Sequence, residues 1–266
     1  MELIQTLIYL VVSFSASVIG AICGIGGGVV IKPVLDLLAV AGVSTISFLS
    51  CCTVLSMSCY SVGTSLAKGE KTVDLYLGTP LAIGAAAGGV VGQQLFSQVA
   101  AMFENPNTVG AVQAGCLLLI TLGTMVFTLK KSSITMHHVR NRGVCLVIGL
   151  FLGIMSSFLG IGGGPINIAV LMFFCGMDTK TCAANSLYII LFGQITTLAT
   201  TLITHSVPSF EIPALVLMIA GGILGGVTGR KLNRRLDSRD VDRLFIGLMA
   251  VIMCICGYNM LQYSVL

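Results

Sequence analysis

Eight stretches of this 266-residue chain carry no charged side chain, and each is about as long as a bilayer-crossing helix or longer. They run over 3–31, 37–67, 75–103, 105–129, 143–177, 181–210, 212–229 and 244–266. A helix crosses the hydrocarbon core with about 20 mainly apolar residues. Inside lipid, every backbone N–H and C=O must be paired within the protein, which admits helices or a closed barrel. The period-2 alternation of barrel strands is absent, so helices are expected. Charged residues make up 9% of the chain, against about a quarter of a soluble domain. The first stretch is longer than a signal peptide and has only Glu2 as a neighbouring charge, so it is read as part of the membrane domain.

The basic residues set the expected orientation. Lys68 and Lys71 fall in one loop. Lys130, Lys131, Arg140 and Arg142 fall in a second, and Arg230, Lys231, Arg234, Arg235, Arg239 and Arg243 fall in or beside a third. The positive-inside rule places these three loops in the cytoplasm. The connections near Gly42, 104–107 and 205–211 carry no Lys or Arg and are expected outside. Single spans then fit 44–67, 72–98, 108–129, 181–204, 211–229 and 243–264, with both termini outside. Segments 3–41 and 143–177 must each begin and end on one side, so each is expected to be a broken-helix hairpin, re-entrant or fully crossing.

Both hairpins break at the same words. Gly24-Ile25-Gly26-Gly27-Gly28 recurs 136 residues later as Gly160-Ile161-Gly162-Gly163-Gly164, followed there by Pro165. Glycine costs a helix about 1 kcal/mol per residue and proline more, so such a run is a break. Gly84, Gly88, Gly89 and Gly92 recur at an offset of 137 as Gly221, Gly225, Gly226 and Gly229. Asp74 and Glu211 pair at the same offset, as charges at helix starts. The expected fold is therefore an all-α polytopic membrane protein of two inverted repeats, each a broken-helix hairpin plus three transmembrane helices. The first repeat is 1–130, a cytoplasmic linker covers 131–142, and the second repeat is 143–266. Inverted repeats with broken helices are the architecture of many secondary transporters.

The doubled glycine motif, with Pro33 and Pro165 and the downstream glycine ladders, resembles the TauE/SafE sulfite exporter (TSUP) family over essentially the whole chain. The resemblance implies a prokaryotic inner-membrane protein, not an enzyme, that moves small sulfur-containing anions such as sulfite, thiosulfate or organosulfonates. Residue 23 is Cys where the second copy has Leu159, and the two prolines stand at different positions relative to the motif. These departures leave the substrate open within the family.

The residues themselves say where an anion would sit. After each break a half-helix is expected, over about 26–40 and 162–176. A helix N-terminus carries unpaired N–H groups and partial positive charge, and glycine lets a ligand approach the backbone. The binding candidates are therefore Gly24, Gly26, Gly27 and Gly28 with Gly160, Gly162, Gly163 and Gly164. Lys32 is expected inside the membrane, where a charge is a functional candidate; pairing with Asp36 on the same helix is the alternative. Thr53 and Asn185 lead the polar side chains, Asn167 is a weaker choice, and Cys23 could meet a soft sulfur. The downstream glycine ladders are read as helix-packing positions.

No cofactor, metal or nucleotide is called for. A coupling proton is possible, and the partners are the bilayer and the anion, with no nucleic acid. Two other readings stay open. One is a thiosulfate uptake protein with a passage lined by Cys23, Cys51 and Cys182. The other is a membrane thiol oxidoreductase, disfavoured because none of the ten cysteines forms a CxxC. No GxxxxGK[ST] motif of a primary pump is present.

Overall fold

A computed structural model describes residues 3–38, 40–70, 72–103, 106–161 and 163–265, so Lys71 and Gly162 lie outside the described residues. Among the described residues the chain forms ten α-helices: α1 (Leu3–Cys23), α2 (Gly28–Leu37), α3 (Val43–Ala67), α4 (Leu75–Met102), α5 (Pro106–Lys130), α6 (Arg142–Leu159), α7 (Pro165–Cys175), α8 (Thr179–Ile203), α9 (Ile212–Asn233) and α10 (Ser238–Val265). Eight of them are long and apolar enough to cross a membrane. The other two, α2 and α7, have 10 and 11 residues, which at 1.5 Å per residue reach about half a bilayer.

Local chemistry explains the ends of these helices. The Asp74 carboxylate accepts from the backbone N–H groups of Tyr76 and Leu77 and so caps α4. Asn141 accepts from Gly143 N at the start of α6, and Asp178 accepts from Lys180 N and Thr181 N at the start of α8. Such caps satisfy N–H groups that the helix cannot. Pro165 opens α7 at a first-turn position, where its missing N–H costs nothing. The half-helices begin two or three residues later than the glycine runs suggest, because the glycines form the turn itself.

The helices share one basic end. There Lys131 pairs with Asp242, and Thr179 Oγ1 donates to the same carboxylate at 2.7 Å. These contacts gather the end of α5 and the starts of α8 and α10. The side chain of Asn233, at the end of α9, donates to Ile22 O at 2.6 Å and brings the end of α1 to the same place. At the opposite end, Gln5 and Tyr9 share a cavity with Val40, Gly42 and Glu211. The α1–α2 hairpin thus returns to the end at which it began. The α6–α7 hairpin begins and ends at the basic end, where the linker bonds its backbone to α7 (His137 N to Phe173 O and Val139 N to Phe174 O, both 2.8 Å).

The principal helix pairings come in sets that match at the 136–137 offset. α1 packs along α9 as α6 packs along α4, and α3 against α9 as α8 against α4. α2 meets α10 as α7 meets α5, while α3–α8 and α5–α10 cross the centre. In the two tightest pairs the glycine ladder is the contact. A Cβ on Gly84, Gly88 or Gly92 would come within 2.1–2.5 Å of the carbonyl oxygens of Leu146, Leu150 and Ile154 on α6. One on Gly225 or Gly229 would come within 2.3–2.6 Å of Phe14 O and Val18 O on α1. Helices without a hydrophobic drive to associate in lipid gain from such close backbone approach. Leu119, Val147, Ile203, Val216 and Leu261 are exposed on the outside of the bundle, the face that lipid would cover.

Candidate functional site

The two glycine breaks, 136 residues apart in sequence, touch in space. A Cβ on Gly28 would lie 2.4 Å from Ile161 O, and one on Gly164 would lie 2.8 Å from Val29 Cγ2. Glycine is required at both ends of this contact for backbone reasons as well. Gly24 has φ +73° and its Cβ position falls 2.1 Å from Ala183 Cα, while Gly164 has φ +110° and ψ −160°. The first excludes any side chain by contact, and the second is a conformation open essentially to glycine alone. The starts of α2 and α7 are therefore held side by side, and the half-helices run away from each other toward opposite ends.

Over the paired breaks lie two apolar side chains. Ile190 of α8 reaches both of them: its Cδ1 lies 3.3 Å from the Cβ position of Gly26 and 2.8 Å from that of Gly163. Val54 Cγ1 of α3 lies 3.3 Å from the same Gly26 position. Both residues are buried. Above and below them, α3 and α8 turn polar.

Two cavities enter the bundle from its two ends, and each comes up to one of the two breaks. The first, about 310 Å³, opens at the basic end between Ser61, Ser65 and Val62 of α3 and Ala183, Ala184 and Leu187 of α8. Glu70, Lys180, Arg230 and Arg234 also line it. Its floor includes Ala183, the residue against Gly24. The second, about 240 Å³, is lined by Ser47 and Cys51 of α3, Gln194, Thr197 and Thr201 of α8, and by Gln113, Ser157 and Gly160. It carries no charged side chain and reaches the second break at Gly160. The hydroxyls of Ser47, Ser50, Ser58, Ser61 and Ser186, and the oxygens Asn167 Oδ1 and Gln194 Oε1, are buried without a hydrogen-bond partner in the protein. Buried polar groups are normally paired, so α3, α7 and α8 carry an unusual concentration of unpaired polar atoms inside the bundle.

The sequence candidates fall into distinct places. The described glycines of both runs meet at the centre. Lys32 lies in the second turn of α2 and is buried. Its ammonium donates to Gln113 Oε1 and, at 3.2 Å, to Leu159 O; Gln113 Nε2 in turn donates to Phe158 O at 2.9 Å. Lys32 thus braces the first half-helix against the last carbonyls of α6, one residue before the second break. Among the described ion pairs there is none between Lys32 and Asp36.

Asn185 is wholly engaged with backbone. It accepts from Asp74 N at 3.0 Å and donates to Thr72 O and Thr181 O at 3.2 and 2.8 Å, pinning the turn before α4 to α8. Thr53 Oγ1 donates to Leu49 O in its own helix, while its methyl group faces Gly222 of α9. Asn167 lies beside Gly163. Cys23 is buried in the apolar core at the end of α1. Of the three cysteines of the lined-passage reading, Cys51 lines the charge-free cavity, and Cys182 is buried with its thiol donating to Met177 O. All ten cysteines are free thiols. Gln113, Val54 and Ile190 went unremarked in the sequence. A lone Gln within the apolar run of α5 is the one signal that could have singled out the first.

Comparison with known proteins agrees with this architecture. Residues 9–255 match the family model described as sulfite exporter TauE/SafE. The probable membrane transporter protein YunE of Bacillus subtilis is 23% identical over 290 residues, covering 97% of this chain and 98% of its own. A probable membrane transporter protein of Xylella fastidiosa is 32% identical over 125 residues, 45% of this chain and 46% of that one. The probable membrane transporter protein MamO of Magnetospirillum gryphiswaldense is 26% identical over 156 residues, 56% of this chain and 24% of its own. No solved structure matches the chain. With eight bilayer-length helices, relatives named as membrane transporters and a family match over nearly its whole length, this polytopic membrane protein belongs to the sulfite exporter TauE/SafE family.

Proposed function

We propose that the chain is a secondary transporter of small sulfur-containing anions, whether sulfite, thiosulfate or an organosulfonate, working by alternating access. The observation that supports this reading is the pair of cavities, one from each end of the bundle, the first reaching Ala183 where it backs Gly24 and the second reaching Gly160, so that each comes up to one of the two touching glycine breaks. An anion arriving there meets the starts of α2 and α7, whose first N–H groups have no partner within their own helices. The two partial positive charges lie close together and favour an anion. The glycines let the two breaks close on each other and on Ile190, and in this reading the substrate reaches the N–H groups when that apolar contact moves aside.

In this reading Gly24, Gly26, Gly27, Gly28, Gly160, Gly162, Gly163 and Gly164 form the substrate cradle. Lys32 adds positive charge one turn away and holds the two breaks in register. Asn185 and Thr53 act as positioning residues, and Cys23 closes the apolar wall behind the first break. The halves 1–130 and 143–266 are inverted repeats that exchange roles as the site opens to one side and then the other. The basic end is cytoplasmic and both termini are outside, in a prokaryotic inner membrane. A proton gradient is the proposed driving force.

The test is uptake of radiolabelled thiosulfate and sulfite into proteoliposomes, with and without a proton gradient. Saturable uptake of either anion, lost in Gly163→Val, is expected. Absence of uptake of both by folded protein would sever the link to inorganic sulfur anions.

A further inference from the structure

The basic-end cavity holds an arrangement that the transport path alone does not require. Three cationic side chains, Lys180, Arg230 and Arg234, line it with one carboxylate, Glu70. The Glu70 carboxylate is gripped as a bound oxyanion would be. Arg230 Nη2 donates to Oε2 at 2.6 Å, Arg234 Nη2 donates to Oε1, and Ser65 Oγ donates to Oε2 at 3.2 Å. Arg230 is itself fixed, because its Nη1 donates to Ser61 O at 2.8 Å. Its side chain is 15% exposed and that of Glu70 26%, so the pair sits inside the mouth of the cavity. Beside them the Ser61 hydroxyl lines the same cavity, buried and without an acceptor. Glu70 comes from the short connection between α3 and α4, whereas Arg230 is in the last turn of α9 and Arg234 is the residue that follows that helix. The carboxylate therefore sits on a different segment from the two arginines, and a rotation of its own side chain parts it from both.

We propose that this cavity is an anion-docking site in which Glu70 is a displaceable counter-ion, giving up Arg230 and Arg234 to an incoming small oxyanion. The proposal rests on the anion-transport reading above. Planar guanidiniums match the paired oxygens of a sulfur oxyanion as they match those of a carboxylate. Exchange of one anion for another leaves no arginine uncompensated at the mouth, and the docked anion then faces Ala183 and the first break behind it. A purely structural Glu70 would instead pin the α3–α4 connection to α9 and have no bearing on affinity.

Calorimetric titration of thiosulfate into the full chain in lipid nanodiscs separates the two. Removing the internal competitor in Glu70→Gln is expected to tighten thiosulfate binding by about fivefold, the scale of a partly exposed ion pair. Arg234→Gln, which keeps the Arg230–Glu70 pair, is expected to weaken binding to a similar degree. An unchanged or weaker affinity in Glu70→Gln, with only its melting temperature lowered, would overturn the proposal. If Glu70→Gln does not fold, unchanged affinity in Arg234→Gln overturns it alone. Binding that ignores both variants, beside intact proteoliposome uptake, removes the docking site and leaves the transporter reading standing. Loss of both uptake and binding in the wild-type protein removes both.

Discussion

Lys32 shows what a buried charge demands of its neighbours. Its ammonium is satisfied by Gln113 Oε1 and Leu159 O, and Gln113 spends its amide on Phe158 O. Removing Gln113 therefore takes from the ammonium its side-chain acceptor, leaving Leu159 O, and takes from Phe158 O its side-chain donor. Gln113→Leu, close in volume, should destabilise the protein by about 1–3 kcal/mol or more, the cost of leaving buried polar groups unpaired, with a charge at the upper end. Thermal melting in detergent would reveal it. A melting temperature equal to wild type would mean that Lys32 has another sufficient partner. The same residue-level reasoning separates Asn185 from the cradle glycines. Its three hydrogen bonds to backbone consume its amide, a fate that nothing in the run Cys182-Ala183-Ala184-Asn185-Ser186 could announce, because two of the three partners, Thr72 and Asp74, lie over a hundred residues away.

At the scale of the helix, the glycines divide into two kinds that look identical in sequence. Those of α4 and α9 are packing surfaces, as their four-residue spacing suggested. A Cβ on Gly88 would lie 2.1 Å from Leu150 O, a backbone atom that cannot give way without moving α6. Gly88→Leu should cost about 3 kcal/mol or more by overpacking and be seen as lost monodisperse protein on size-exclusion chromatography. Gly123 in α5 is the control. A Cβ there meets nothing within 4 Å, so Gly123→Ala should be neutral or stabilise by up to about 1 kcal/mol through helix propensity. Equal effects of the two changes would show that close α4–α6 packing does not hold the bundle together. The glycines of the breaks act differently, as bends in the chain and as approach surfaces. Their doubled motif was legible in sequence, but not the fact that the two copies touch.

Across the whole molecule, Glu70 joins the α3–α4 connection to the end of α9, 160 residues away from it at Arg230. Partial burial pushes its carboxyl pKa up. The hydrogen bond and charge of Arg230, the charge of Arg234 and the Ser65 hydroxyl outweigh that and hold it below the ordinary value. A carboxyl with a lowered folded-state pKa adds stability that is fully present above its unfolded value, about 4.3, and is lost as the pH falls through the folded value. The melting temperature should therefore be flat near neutrality and fall in acid, and Glu70→Gln should remove part of that fall. An acid profile identical in the two proteins would place the titration elsewhere. Glu70 also shows the limit of reading charges as topology markers, since the loop was noted for Lys68 and Lys71 and its carboxylate was passed over.

The sequence alone determined the solvent, the element type and the places where two helices break. Long uncharged runs without period-2 alternation leave the backbone no partner but its own helix, and two identical glycine words mark the two broken helices. Only the tertiary structure decided which groups meet. It laid Gly28 against Ile161, set Ile190 over both breaks, turned Asn185 toward the backbone of the α3–α4 connection, and closed Arg230 and Arg234 around Glu70. The physical reason is range. Hydropathy and helix propensity act within a few residues and survive as patterns along the chain, whereas cavities and hydrogen-bonded clusters arise from contacts between segments whose distance and angle no local pattern encodes.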